Sequence, residues 1–398
     1  MANLNAKLKT MTTAKTDSAK TDTSDAQSLM RRVLDLAARG STTTFPNPRV
    51  GCVLVNNGEI VGEGYHSIAG GLHAEREALT QAGEAARGAT AYINLEPCCH
   101  QGRTPPCTDG LIDAGVSKVV AAMHDPNPLV AGGGFEVLKM AGVEVESGLM
   151  KEQAAWLNRG FIKRMRSQRP WVTLKSAATL DGRTAAYDGQ SKWITGDAAR
   201  HQVQQLRSHC SAIVTGIETI LIDDPRMDVR LDGTAVQPIK VVLDSELRIP
   251  LDSHIITSGG QLLVFTLSND LSKIGALIEL GVEVIQYDDA DVSASGEDGI
   301  DLNKVLEELA RWQCNEVLVE AGQTLSGAFL QAGLVDELVL FYAGSLLGDQ
   351  AKSMFSFNEP LPFTNKIEFR IDSVEMIGPD IKVSAINQAS QDSLLISA

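Results

Sequence analysis

Apolar positions along the chain fall into short blocks of two kinds. Leu29, Val33, Leu36 and Ala37 recur at helical spacing from about residue 28, with Gly40 as the stop. Compact apolar runs at 50–55, 91–95 and 118–123 instead predict strands, and helices fit between them at 73–82 and 108–114. Near Gln168-Arg169-Pro170 a basic segment ends in proline, and a new strand begins at Trp171-Val172-Thr173-Leu174-Lys175, which predicts a domain boundary there. Apolar runs follow at 212–216, 239–243, 262–265, 282–285, 317–319 and 338–342, with helical segments at 198–207, 271–280 and 302–311. Strands alternating with helices in both halves predict α/β domains, each a sheet covered by helices. Residues 1–26 are rich in Thr, Ser, Ala, Lys and Asp without an apolar face. They read as a disordered leader, with Met11 and Met30 as later start points. Residues 288–301 read as an acidic loop and 387–398 as a tail.

A length of 398 residues is too great for one typical core and suits two domains, 27–170 and 171–386. No apolar run approaches the ~18 residues of a membrane span, and no secretory core follows the N-terminus, so a cytoplasmic protein without a membrane partner is expected. Six cysteines in this length do not make a disulfide scaffold, and the trio at 98, 99 and 107 points to metal.

The net charge of −15 is unevenly placed. Residues 1–170 carry 19 Lys/Arg against 17 Asp/Glu, whereas residues 171–398 carry 16 against 33. Several of the second half's basic residues gather between Arg183 and Arg230. They serve either an anion such as phosphate or simply an acidic, solubilising surface. No basic stripe with interleaved aromatics is present, which argues against a nucleic-acid partner.

The candidate chemistry begins at His73-Ala74-Glu75 and continues at Glu96-Pro97-Cys98-Cys99-His100-Gln101-Gly102-Arg103-Thr104-Pro105-Pro106-Cys107. One imidazole, two separated thiols and a carboxylate near the imidazole meet the needs of a catalytic zinc site: three protein ligands, an open position for water, and a base. Zinc nucleobase deaminases carry H-x-E followed by P-C-x-x-C, with the Glu not a ligand. Gln101 breaks the second half of that pattern, so Cys107 becomes the candidate second thiol beside His73 and Cys98. Glu75 is the proton shuttle, or merely a carboxylate favoured at a helix start. A helix starting at 73 and a strand ending before Cys98 would bring both halves of the site to one sheet edge.

The second half has no dinucleotide fingerprint. Its Glu320-Ala321-Gly322-Gln323-Thr324-Leu325-Ser326-Gly327 run sits between a strand and a helix. That junction can offer backbone N–H groups to a pyrophosphate, or be an ordinary connection.

With Gly-Arg-Thr-Pro-Pro-Cys carrying the second thiol, the first half resembles the deaminase half of the bifunctional riboflavin-biosynthesis deaminase/reductase family. Pro46-Asn47-Pro48-Arg49-Val50-Gly51, Gly62-Glu63-Gly64-Tyr65-His66 and Asp125-Pro126-Asn127-Pro128 agree. Lys175, Leu180-Asp181-Gly182-Arg183-Thr184, Ser191-Lys192-Trp193-Ile194-Thr195, Asp223-Asp224-Pro225 and Glu320-Ala321-Gly322 extend the resemblance from about residue 27 to about 386. It implies a cytidine-deaminase-like α/β/α domain with one Zn2+ per chain, followed by a dihydrofolate-reductase-like α/β domain using NADPH. It further implies a phosphorylated pyrimidine substrate and a homo-oligomer.

By the same resemblance, deaminase substrate contacts fall on Asn47, His66, His100, Arg103, Asp125 and Asn127, although Asn47 could equally be a turn residue and 125–128 a plain loop. Reductase substrate contacts fall on Ser191, Arg207, Arg230 and Glu320. Ala177, Trp193, Thr219, Asp223 and residues Gly322, Gln323, Thr324, Leu325, Ser326 and Gly327 fall in the NADPH site, with Lys175 and Asp223 in catalytic roles. Trp193 could be plain core, and Lys175 an outward, solvated strand residue.

Two departures stand out. Cys99 replaces a residue that is usually Ser or small, and Ala131-Gly132-Gly133-Gly134 lacks the family's Arg and reads as a flexible loop. Two rival readings remain at this stage. One is a zinc nucleoside deaminase with a non-catalytic C-terminal binding module. The other is a structural zinc protein in which His100 or Cys99 completes four ligands.

Overall fold

Asp25 ends the expected leader earlier than the composition suggests. In the computed structural model, which describes residues 25–101, 105–128, 130–288 and 299–396, its side chain accepts from the Gln27 amide and caps helix α1, Ala26–Ala38. The remainder of the leader, residues 1–24, lies outside the described residues.

The chain forms two compact units. One comprises residues up to Thr44 together with Arg49–Leu157; the other comprises Phe45–Pro48 and the chain from Asn158 onward.

The first unit holds a five-stranded sheet in the order β2-β1-β3-β4-β5. Its strands are β1 Gly51–Asn56, β2 Glu59–Tyr65, β3 Thr90–Ile93, β4 Lys118–Ala121 and β5 Glu144–Ser147. β1 runs antiparallel to β2 and β3, while β3, β4 and β5 are mutually parallel. Helices α2 Ala74–Ala82, α3 Cys107–Asp113, α4 Gly133–Met140 and α5 Lys151–Leu157 complete it. Glycine decides how closely α2 approaches: a Cβ on Gly64 would lie 2.3 Å from the Ala74 carbonyl, and one on Gly62 2.2 Å from that of Ala78. Bare backbone on β2 therefore seats the helix that begins at the zinc-motif histidine.

Helix α4 corrects the flexible-loop expectation for 131–134. Gly132 takes the left-handed conformation (φ 85°) before the helix, and a Cβ on Gly134 would come within 2.1 Å of the Pro97 carbonyl. The glycines serve close packing.

The second unit centres on a nine-stranded sheet, β11-β10-β9-β8-β12-β6-β13-β16-β15. In chain order it contains α6 Arg159–Ser167, β6 Trp171–Thr179, β7 Arg183–Ala185, α7 Asp197–Ser208, β8 Ala212–Gly216, α8 Ile217–Asp223 and β9 Ile239–Leu243. There follow α9 His254–Thr257, β10 Leu262–Thr266, α10 Leu271–Glu279, β11 Glu283–Gln286, α11 Leu302–Arg311, β12 Glu316–Val319, α12 Gln323–Gln331 and β13 Glu337–Ala343. The chain closes with β14 Lys352–Ser353, β15 Arg370–Ile377, β16 Asp380–Ile386 and α13 Gln388–Ser393. β11 through β13 are parallel, and β16 and β15 add antiparallel at the far edge.

The continuous apolar strands are those covered on both faces, as parallel sheets require. Val214, Val241 and Val317 pack on one side, and Ile213, Val242 and Val264 on the other. The expected tail is anchored: Ser390 Oγ donates to Asp336 Oδ1 at 2.6 Å, and Leu394 is buried. Most of the expected acidic loop lies outside the described residues; where description resumes, Ile300 is buried and Asp301 caps α11.

Candidate active sites

In the first unit, His73 occupies the N-cap of α2, placing its ring at the helix mouth and Glu75 in the first turn. Cys107 opens α3, and Cys98 follows the connection from β3. These elements bring His73 Nδ1 within 3.2 Å of Cys107 Sγ and 3.6 Å of Cys98 Sγ. The three ligand atoms lie within 4.8 Å of one another. One nitrogen and two sulfurs converging this closely fit a Zn2+ ion, with Zn–S near 2.3 Å and Zn–N near 2.0–2.1 Å. Hydrogen bonding with Cys107 and His73 holds the Cys98 thiol well below its ordinary value. The same partner and burial push Cys107 up, because two facing sulfurs share one proton.

Glu75 is buried, and burial foremost, then the Cys98 charge, raises its carboxyl above the ordinary value. A carboxyl raised in this way binds a proton more readily than a solvated one, the property a proton shuttle uses. His66 is also buried. Its ring lies edge-on to His73 with centroids 5.5 Å apart, and Nδ1 donates to the Leu72 carbonyl at 2.9 Å. Burial lowers its pKa, which favours the uncharged ring.

Asp125 is buried, its Oδ1 accepts from the Asn127 amide at 2.8 Å, and burial lifts its carboxyl to about 7. The turn fixes Asp125 and Asn127 relative to one another. His100 is exposed, and Arg103 lies outside the described residues. Asn47 belongs to the 45–48 segment, which groups with the other unit, where the Pro46 carbonyl accepts from Arg164 and Asn315.

The second unit contains a cleft of ≈1490 Å3 at the C-terminal ends of its parallel strands, the usual ligand edge of such sheets. Lys175 and Ala177 line it from β6, Thr219 and Asp223 from α8, and Ser191 and Trp193 from the segment before α7. Glu320 and Gly322 through Leu325 contribute the β12–α12 junction, with Gly322 at the N-cap. Arg207 and Glu320, each about a tenth exposed, form a two-pronged pair: Nε to Oε1 at 2.7 Å and Nη2 to Oε2 at 3.0 Å.

Arg207 Nη1 donates to the Asp228 carbonyl, and the Asp228 carboxylate pairs with both Arg226 and Arg230. Lys175 Nζ stands 4.0 Å from Glu320 Oε2 with a side chain 17% exposed, so it is not a solvated outward residue. Burial lowers its pKa, against the pull of Glu320. Burial also opposes ionisation of Glu320, but Arg207 and then Lys175 outweigh it and hold the carboxyl low. Trp193 is 72% exposed, which removes the reading as core; the Arg200 guanidinium stacks over its ring at 4.7 Å.

Two residues of the expected cofactor run point elsewhere. Ser326 is buried and donates to the Ala321 carbonyl, and a Cβ on Gly327 would sit 1.8 Å from the Ser356 carbonyl. Both serve packing of α12 and do not line the cleft. The residue patterns did not single out Lys192, whose Nζ donates to the Asp223 carbonyl at 3.1 Å, or Arg226. Lys192 was within reach, since it lies inside the Ser-Lys-Trp motif.

Residues 23–123 match the family described as the cytidine and deoxycytidylate deaminase zinc-binding region, and residues 170–383 match the RibD C-terminal domain. The riboflavin biosynthesis protein RibD of Haemophilus influenzae is 46% identical over 368 residues, covering 89% of this chain and 95% of its own. Its Escherichia coli counterpart is 44% identical, with 88% and 96% covered. A solved structure of Acinetobacter baumannii RibD superposes with a TM-score of 0.83 at 43% identity, covering 90% and 98% of the two chains. A Thermotoga maritima diaminohydroxyphosphoribosylaminopyrimidine deaminase/5-amino-6-(5-phosphoribosylamino)uracil reductase gives 0.79 at 33% identity, covering 90% and 98%.

Proposed function

Since this chain belongs to the RibD family of bifunctional riboflavin-biosynthesis deaminase/reductases, we propose how its own residues divide the two reactions. The first is hydrolytic deamination of 2,5-diamino-6-(5-phosphoribosylamino)pyrimidin-4(3H)-one. The second reduces the ribosyl to a ribityl chain with NADPH, giving 5-amino-6-(5-phosphoribitylamino)uracil. The zinc deaminase domain is 27–170 and the reductase domain 171–386.

His73, Cys98 and Cys107 hold the zinc, which when bound makes a water acidic enough to supply the attacking oxygen. Glu75 carries one proton from the attacking water to the ring nitrogen as the C–O bond forms, then carries the second, from the new hydroxyl, to the amine, so that the C–N bond breaks and ammonia leaves as the carbonyl forms. Asp125 and Asn127 read the polar edge of the pyrimidinone, with His66, His100 and Asn47 as further contacts and Arg103 on the phosphate.

In the reductase cleft NADPH supplies a hydride to C1 of the opened sugar. Lys175 and Asp223 handle the proton passed to the ring oxygen or the imine nitrogen. Arg207 and Arg230 hold the ribose phosphate, with Ser191 and Glu320 completing that pocket. Ala177, Trp193, Thr219, Asp223 and Gly322 through Leu325 border the cofactor, and Ser326 and Gly327 support it from behind. The Gly322 N-cap supports a pyrophosphate at the start of α12.

The convergence of three ligand atoms beside buried Glu75 carries this reading. Metal analysis of purified protein tests it: one zinc per chain is expected, lost in Cys107→Ser, and zinc retained in that variant would overturn the ligand set. The family resemblance also supports a homo-oligomer in the cytoplasm, which sedimentation and cell fractionation test.

A further inference from the structure

Glu96 is fully buried in its side chain yet lies two residues before a zinc-ligand cysteine, and no step of the reaction uses it. Its carboxylate is surrounded by backbone donors from one distant stretch of chain. Oε2 accepts from the Asp125 and Gly132 amides at 3.1 and 3.0 Å, and Oε1 from the Gly134 and Phe135 amides at 2.9 and 3.2 Å. Four amides on one buried carboxylate exceed what capping α4 requires, because the first of them belongs to Asp125, at the far end of the segment. The imidazole of His124 stands 3.5 Å from Oε2 on the solvent side.

The same stretch is closed against the thiol loop at two more points. A Cβ on Gly134 would meet the Pro97 carbonyl at 2.1 Å, and one on Gly133 would lie 3.2 Å from Cys99 Sγ. The position of Asp125 is therefore set by the residue that begins the Glu-Pro-Cys turn.

We propose that Glu96 is a positioning residue for the deamination. Its carboxylate clamps the 125–135 backbone to the turn carrying Cys98, and so fixes Asp125 and Asn127 relative to the His73–Cys98–Cys107 group. This rests on the reading of Asp125 and Asn127 as substrate contacts. Glutamine at this position keeps the shape but replaces one acceptor oxygen with an NH2 group facing two N–H donors, so two of the four bonds are lost.

The experiment is steady-state deaminase kinetics of full-length Glu96→Gln, with zinc content measured on the same sample. We expect the deaminase KM to rise about 10- to 100-fold, as misplacement by about an ångström produces. Zinc is expected at parental stoichiometry, with kcat changed much less than KM. An unchanged KM, or a fall in zinc that alone accounts for the loss, overturns the proposal.

Asn127→Ala in the same assay separates this from the underlying reading. If Asn127→Ala leaves KM at the parental value, the substrate-contact reading fails; if it raises KM and Glu96→Gln does not, only the clamp fails. Hydrogen exchange of the parent chain guards against a variant that does not fold: the Asp125, Gly132, Gly134 and Phe135 amides should exchange slowly as a group. Fast exchange at Asp125 and Gly132 contradicts the clamp.

Discussion

Replacing Glu320 with alanine removes the carboxylate that Arg207 grips at 2.7 and 3.0 Å. Both side chains are only about a tenth exposed, so water from the cleft replaces the lost partner poorly. What remains is a buried guanidinium, with Lys175 also deprived of its nearest counter-charge at 4.0 Å. Breaking a buried pair from one side costs about 3–5 kcal/mol, whereas an exposed pair is worth about 0–1. At about 2–4 °C per kcal/mol for a unit of this size, the melting transition of the reductase unit should fall by ~6–20 °C. Calorimetry of the full chain reads this directly, and the deaminase transition should stay in place. Adding Arg207→Met removes the orphaned charge and should recover part of the loss, since an apolar replacement of the whole pair is far less costly. A fall of less than about 1 kcal/mol in the single variant, or a double variant worse than the sum of the two singles, would refute the reasoning.

Gly327→Ala should destabilise the reductase unit by about 1–3 kcal/mol through the 1.8 Å approach to Ser356; urea unfolding checks this. Lys175→Met should abolish NADPH oxidation while ammonia release continues, read in parallel assays on one preparation. Asp125 titrates at about 7, above the ~3.9 of an unfolded chain. Its contribution to stability is therefore full below about pH 4 and lost as pH rises through 7, and Asp125→Asn should flatten the pH dependence of the urea midpoint across that window.

The strands of the second sheet were legible where burial on both faces makes the apolar run continuous, as at 212–216 and 239–243, which the structure reproduces to the residue. The β15–β16 hairpin was not, because Ile371, Val374 and Met376 lie on an edge strand and remain exposed. β2 was hidden by glycines that read as loop but are needed for the approach of α2. Helix α4 starts in three glycines and draws its cap from Glu96, 36 to 39 residues earlier, so no local pattern could announce it. Among site residues, His73, Glu75, Cys98 and Cys107 carry their chemistry in a distinctive spacing. Ser326 and Gly327 do not, since a helix turns them inward only one and two residues after Leu325, which faces the cleft.

The central claim is that one chain runs two separable reactions. Its most direct test supplies purified protein with the diamino-pyrimidinone phosphate and follows ammonia release and NADPH oxidation together, in the parent and in Glu75→Gln. The account predicts both signals in the parent. In the variant it predicts no ammonia, with NADPH oxidation persisting on substrate deaminated beforehand. Ammonia without NADPH oxidation in the parent, or undiminished ammonia release in Glu75→Gln, would contradict it.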